Sequence, residues 1–296
     1  MESVASEGGE TVRLEIAAPR GLNVREAGAD IRAGDRALEA GRELSPHDLA
    51  VLAALGVPAP RVGRAPRVVA LSTGDELLDV DAPLAPGAIR DSNLPMLEAL
   101  LEESGARVIR SERLPDVTPR VAERIARALE DADVVLTLGG VSAGRHDPVQ
   151  EALADQPDIA RWRVAMKPGR PQAFGSPQGR LFFGLPGNPA SVACVFETLV
   201  RPALRKLQGF AALDRPRLDV RAAHAIESRP GRTDFVRAIL ARRGAEWWAS
   251  EAGAQISGHV LPQSRAHALV LVPEAAERVA PGERVEAILL RWPDAE

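Results

Sequence analysis

The sequence predicts a three-layer α/β domain built on a mostly parallel sheet, followed by a small all-β domain. Three observations carry this. From Val68 to Gln208, apolar runs of strand length alternate with helical patterns, as in a parallel sheet covered on both faces. After Arg215-Pro216 the alternation stops, and short apolar runs follow one another across Gly and Pro turns. At the centre, Val134-Val135-Leu136-Thr137-Leu138 runs into the glycine-rich Gly139-Gly140-Val141-Ser142-Ala143-Gly144 and then into Asp147-Pro148, a helix start. The predicted regions are residues 1–64, 65–212 and 213–296.

In the first region, Val12-Arg13-Leu14-Glu15-Ile16 alternates like a strand. Ser45 before Pro46 opens a helix that runs to Leu55 and stops at Gly56. So little regular structure buries little on its own, so this region needs a partner surface. In the second, Val68 to Ser72 is a buried strand. Asp91-Ser92-Asn93 caps a helix reaching Ser104, with Gly105 behind it. Val108-Ile109 begins a strand ending at Leu114, and Thr118-Pro119 opens a helix to Glu130. The Val134 strand follows, then a helical pattern from Asp147 to Ala154 and the rigid, basic Met166-Lys167-Pro168-Gly169-Arg170-Pro171. Leu181 to Leu185 is the last strand, turning through Pro186-Gly187-Asn188-Pro189 into a helix that reaches Gln208. In the third region, strands are expected at Leu218 to Val220, Phe235 to Leu240, Ala268 to Val272 and Val285 to Leu289, with no helix between them.

Bulk composition excludes several classes. The 296 residues carry a net charge of −4, so nothing in the balance calls for nucleic acid. One cysteine excludes an intramolecular disulfide and a multi-cysteine zinc site, and suits the cytoplasm. No apolar run is long enough to span a membrane. The acidic first ten residues lack the apolar core of a signal peptide. There is no tyrosine, which removes tyrosine-based chemistry.

In an open parallel sheet, ligands sit beyond the carboxyl ends of the strands. Four turns lie there: Thr73-Gly74-Asp75-Glu76, Pro115-Asp116, Gly139 to Asp147, and Pro186 to Ser191. Three of them carry carboxylates. The fourth leads into a helix N-terminus, a natural phosphate seat. Lys167 and Arg170 add positive charge. Together these groups suit a phosphorylated ligand with a hard divalent cation such as Mg²⁺. A nucleoside-triphosphatase P-loop is excluded. Gly139 and Gly144 have its spacing, but Arg145-His146 replaces its Lys and hydroxyl residue. Each polar residue also has a plainer reading: Asp75 as a helix start, Asp147 as an N-cap, Asp116 and Asn188 as turn residues. Cys194 reads as packed, and His47, His224, His259 and His267 show no ligand spacing.

Taken in order, Ser72-Thr73-Gly74-Asp75-Glu76-Leu77, Asp91-Ser92-Asn93, Gly139-Gly140-Val141-Ser142-Ala143-Gly144 with Asp147, Met166-Lys167-Pro168-Gly169-Arg170-Pro171 and Leu185-Pro186-Gly187-Asn188-Pro189 resemble the molybdopterin molybdenumtransferase family. Arg232-Thr233-Asp234-Phe235, Ser257-Gly258-His259 and Leu271-Val272-Pro273-Glu274 resemble its last β domain. Asn23-Val24-Arg25 and Gly28-Ala29-Asp30-Ile31 resemble its segment before the pterin-binding domain. The resemblance implies that molybdate enters adenylylated molybdopterin with Mg²⁺, releasing AMP and molybdenum cofactor. It implies catalytic roles for Glu76, Asp116, Asp147 and Asp30, the first three on the metal. It also implies that Thr73, Gly74, Asp75, Gly139, Gly140, Ser142, Gly144, Lys167, Arg170, Pro186, Gly187 and Asn188 hold the pterin and its phosphate. It further implies a homodimer, contact with the molybdopterin adenylyltransferase and a cytoplasmic setting. Two departures accompany it. The family's chain has a further N-terminal portion, from which a dimer partner completes the cleft, and residues 1–64 are expected to be the remnant of those linker and dimerisation domains. Arg170 stands where the family has lysine, exchanging a point charge for a fork. Two other functions fit the same pattern: a molybdopterin-binding remnant or scaffold without turnover, and the related molybdopterin adenylyltransferase. The β domain after Pro216 speaks against the second.

Overall fold

The computed structural model describes residues 4–7, 11–14, 17, 19–141, 147–154 and 156–294. They fall into two compact units, residues 1–60 and 61–296. In the first, β1 (Val4–Glu7) and β2 (Thr11–Leu14) form an antiparallel pair, and α1 spans Pro46–Ala54. α1 starts with a reciprocal cap. Asp48 N–H donates to Ser45 Oγ, and Ser45 N–H donates to the Asp48 carboxylate at 2.8 Å. Asp48 is the sole buried residue among the side chains described in this unit, so these residues form no apolar core of their own.

The second unit begins with β3 (Arg67–Thr73), β4 (Leu77–Leu78), β5 (Ile89–Arg90), α2 (Asn93–Glu103), β6 (Arg107–Leu114), α3 (Thr118–Asp131) and β7 (Val134–Leu138). It continues with α4 (Pro148–Ala152), β8 (Ile159–Arg163), β9 (Met166–Lys167), β10 (Pro171–Gly175), β11 (Leu181–Leu185), α5 (Pro189–Val195) and α6 (Arg201–Leu207). The sheet order is β6-β3-β7-β11-β10-β8. The first four strands are parallel, and β10 and β8 complete the edge in antiparallel fashion. The sequence pattern misses both. β8 is an exposed edge strand reading Ile-Ala-Arg-Trp-Arg, and β10 begins on Pro171 and ends on Gly175, so neither shows a buried apolar run.

The three layers follow from which side chains each face buries. α3 and α4 set Val121, Ile125, Leu129 and Val149 on one face, against Val69, Leu71 and Val135. α2, α5 and α6 set Leu97, Leu101, Val192 and Leu204 on the other, against Val68, Leu136 and Phe183. Each fully buried leucine contributes roughly 1.5–3 kcal/mol. The expected long helix from the Pro186 turn is one axis with a π-turn at Phe196–Val200 between α5 and α6. Pro202 explains it: without an N–H it cannot donate to the carbonyl four residues back, and its ring displaces that turn.

The last part contains β12 (Arg217–Ala222), β13 (Ile226–Glu227), β14 (Thr233–Arg243), β15 (Glu246–Glu251), α7 (Leu261–Arg265), β16 (Ala268–Val272), β17 (Arg278–Val279) and β18 (Arg284–Leu289). The order β15-β12-β18-β16-β14 closes through β14–β15 pairing into a barrel, which removes the sheet edges. The expectation of no helix here is corrected by α7, a single short turn opened by Leu261-Pro262 and too brief for a periodic signal. β9, which belongs by sequence to the α/β part, pairs in parallel with β14 as a further barrel strand. Leu269 and Ile288 of the barrel join the core beneath α2 and α5.

Candidate functional site

Two glycine turns meet at the carboxyl ends of β7 and β11. Gly139 N–H donates to Leu185 O at 3.0 Å, and a Cβ on Gly187 would stand 3.6 Å from the Gly139 Cα. Beside them β3 ends on Thr73, whose hydroxyl donates to Leu138 O at 3.4 Å. The strand ends are thus laced together, with the loops after them facing one cleft. Gly140 also has a packing role. A Cβ there would overlap Val149 Cγ2 and Cβ and lie 3.0 Å from Asp147 Oδ1, at a φ of 72°. Its small size lets the first turn of α4 close against the loop.

The acids converge. Asp75 N–H donates to Asp116 Oδ2 at 3.3 Å, and Asp116 N–H donates to Asp75 Oδ1 at 3.0 Å, so the loops after β3 and β6 clasp each other. Glu76 folds back beneath Gly74, where a Cβ would lie 2.7 Å from its Oε2. Asp147 is buried and caps α4, accepting from Gln150 N–H at 3.0 Å. The cap reading of Asp147 and its place in the cleft therefore hold together. The Asp116 carboxyl is raised above the usual aspartate range, first by partial desolvation and then by the negative charges of Asp75, Glu76 and Asp147. Among the described residues no ion pair neutralises any of these four. Hard oxygen donors gathered at one sheet edge fit a divalent cation. As placed, however, no three Asp, Glu, His or Cys side chains among the described residues form a metal cage.

The Gly187 turn is fixed from α2. Asn93 Nδ2 donates to Gly187 O at 2.6 Å, and Asp91 Oδ1 accepts from Asn93 N–H and Leu94 N–H. Asn93 thus belongs both to the Asp91-Ser92-Asn93 cap and to the support of the Gly187 turn. Asn188 occupies the N-cap of α5 without using its side chain as a cap. Instead its Oδ1 lies where a Cβ on Gly258 would meet it at 3.8 Å, while Ala190 N–H donates to Ser257 O. A barrel loop therefore forms a wall of the cleft. Arg237 holds that loop. It is buried, and its guanidinium donates to the carbonyls of Ala254, Ile256 and His259 and to Gln255 Oε1. Lys167 reaches the barrel too, 3.6 Å from Asp234, which Arg232 also contacts at 2.7 Å. Arg170 is exposed at the start of β10, beside Pro171.

Thr73, Gly74, Asp75, Glu76, Asp116, Gly139, Gly140, Asp147, Pro186, Gly187 and Asn188 thus gather at the carboxyl edge, with Lys167 and Arg170 on the segment that follows β8. Ser142 and Gly144 lie outside the described residues, as does His146. Asp30 is exposed and belongs to the first unit. Cys194 is packed in the core, where burial pushes its thiol far up. His267 Nδ1 accepts from Leu240 N–H in the barrel, a structural role.

Comparison with known proteins agrees along the whole chain. Residues 1–56 match the family described as MoeA N-terminal region (domain I and II), residues 69–206 a probable molybdopterin binding domain, and residues 219–290 the MoeA C-terminal region (domain IV). The chain is 39% identical over 216 residues to the molybdopterin molybdenumtransferase of Haemophilus influenzae, covering 73% of this chain and 54% of that protein. It is 33% identical over 289 residues to molybdopterin molybdenumtransferase 2 of Mycobacterium tuberculosis, covering 95% and 71%. Its fold matches the crystal structure of a molybdopterin biosynthesis protein from Pyrococcus horikoshii with a TM-score of 0.79 and 27% identity, over 99% of this chain and 71% of that one. The chain thus spans between about half and three quarters of the length of these relatives. No described helix is long and apolar enough to cross a membrane.

Proposed function

The chain belongs to the molybdopterin molybdenumtransferase family, and from that premise we propose that it places molybdate on the dithiolene of adenylylated molybdopterin, with release of AMP. The observation that supports this best is the meeting of the Gly139 and Gly187 turns with four acids that have no ion-pair partner among the described residues, at one sheet edge. In this reading residues 65–212 bind the pterin and residues 213–296 wall the cleft. Residues 1–64, with Asp30, belong to the dimer-forming part. The backbone of the Gly187 turn, Asn188 and Lys167 hold the pterin phosphate, with Thr73 and Pro186 shaping the seat. Glu76, Asp116 and Asp147 would hold Mg²⁺, with Asp75 fixing Asp116 through the paired backbone bonds. When bound, the ion supplies Lewis-acid stabilisation of charge on the departing adenylate. Asp116, with its raised carboxyl, also offers a proton-accepting site at the cleft. The active form is a homodimer in the cytoplasm, receiving its substrate from the adenylyltransferase.

The test is AMP release by the purified chain from adenylylated molybdopterin, with and without molybdate and Mg²⁺. Molybdate-dependent release is the expected result. A second reading, binding without turnover, draws on the lack of a ready three-acid cage among the described residues. Tight pterin binding with no AMP released would establish it in place of the first. Consumption of ATP would instead identify the adenylyltransferase.

A further inference from the structure

The cleft has a second, oppositely charged end. Beyond Val141 lies a pocket of about 540 Å³ lined by Val141, Gln150, Arg161, Arg163, Arg170 and Pro171, together with Trp162 and Gln172. Three guanidiniums face it, and no carboxylate is among its described lining residues. Arg163 and Arg170 have no acid partner among the described residues, and Arg161 donates instead to the neutral Gln150 Oε1 at 2.8 Å. Elsewhere in this chain arginines are commonly paired with acids, as Arg64 and Arg180 are with Asp133 and Arg215 with Glu197. Three like charges held together without an acid repel one another, and an anionic ligand removes that cost.

Gln150 is the joint between the two ends. Its backbone N–H and its Nε2 both donate to the Asp147 carboxylate at 3.0 Å, while its Oε1 accepts from Arg161. A neutral amide therefore separates the four acids from the three guanidiniums. Val141, which lines the basic pocket, directly follows Gly139-Gly140 in the chain. The pocket's volume exceeds that of a bare phosphate, and Val141 and Pro171 give it apolar walls.

We propose that Arg161, Arg163 and Arg170 form a nucleotide-phosphate seat, separate from the phosphate seat at the Gly187 turn, which receives the mononucleotide half of the substrate. This rests on the reading of the chain as acting on a nucleotide-bearing pterin. It adds that the substrate is gripped by two anionic groups, one at each end of the cleft, with the cation between them. Arg161 and Arg163 lie on the edge strand β8, outside every motif that carries the family resemblance.

The test measures AMP binding by calorimetry to the full chain and to Arg161→Gln, Arg163→Gln and the double variant. Binding of molybdopterin lacking the nucleotide is measured in parallel, with thermal melting as the control for folding. Each substitution should weaken AMP about tenfold, the loss of one charge-assisted bond, while molybdopterin affinity and melting stay unchanged. AMP affinity unchanged in the double variant would overturn the seat and leave the family function standing. Failure of the unaltered chain to bind AMP would overturn it as well, as would inorganic phosphate binding as tightly as AMP, since the pocket would then be a simple anion site. If molybdopterin fails to bind while AMP binding still depends on Arg161 and Arg163, the seat stands and the pterin reading falls.

Discussion

Gly140 and Asp147 look like ligand residues in the sequence, and each turns out to have a packing role as well. A methyl group on Gly140 overlaps Val149 and strains a positive φ, so Gly140→Ala should cost roughly 1–3 kcal/mol in urea unfolding, even without ligand. An unchanged midpoint would mean that α4 yields freely. Asp147→Asn keeps an oxygen for the cap, so stability should move by less than about 1 kcal/mol. Mg²⁺-dependent ligand binding should fall sharply, because the removed charge faces the other acids. Asp116 adds a pH dependence. Its raised carboxyl takes up a proton at higher pH than a free aspartate, so the folded state binds more protons than the unfolded chain in that window. Stability therefore declines slightly as pH rises through the raised value. Mg²⁺ affinity should move the opposite way, strengthening over the same interval, because the ion competes with the proton. Titrating Mg²⁺ affinity across mildly acidic pH checks this, and Asp116→Asn should flatten the curve.

At the level of elements, what the sequence made legible was what carries a periodic or glycine signal. β3, β7 and β11 are continuous apolar runs because both their faces are covered, and α3 shows its buried stripe at Val121, Ile125 and Leu129. β8 and β10 were illegible because an edge strand with arginines or a proline carries no such run. The four acids could be located because strand carboxyl ends are a topological fact. The Arg237 clamp could not, since it joins one side chain to carbonyls of a loop with no pattern. A buried guanidinium without a carboxylate is costly, and here its bonds shape the loop that lies over Asn188. Arg237→Gln should cost roughly 2–4 kcal/mol by thermal unfolding, with several carbonyls left unbonded. Gly63 is comparable at the start of the unit. A Cβ there would overlap Gln208 O, so Gly63→Ala should loosen the approach of residues 61–66 to α6.

Across residues 61–296 the α/β part and the barrel are joined at several points. β9 adds a strand to the barrel, and Leu269 and Ile288 enter the α/β core. Arg215 bonds Glu197 and Glu103 on one side and Leu290 O on the other. Calorimetry of the whole chain should therefore show both parts melting in one transition. Two resolved transitions would mean these links are weak. The change of pattern at Pro216 stands directly before β12, the first strand of the barrel's own run. It hides the fact that the barrel recruits Met166 and Lys167 from far upstream, since a two-residue strand leaves no trace in composition. This shared strand has a consequence for how such chains diverge. Deleting the barrel gene segment would unmoor Lys167 from Asp234 and strip the wall from Asn188 in a single event. A descendant reduced to the α/β portion could keep its glycine turns, but it would have to reinvent the anchorage of its lysine.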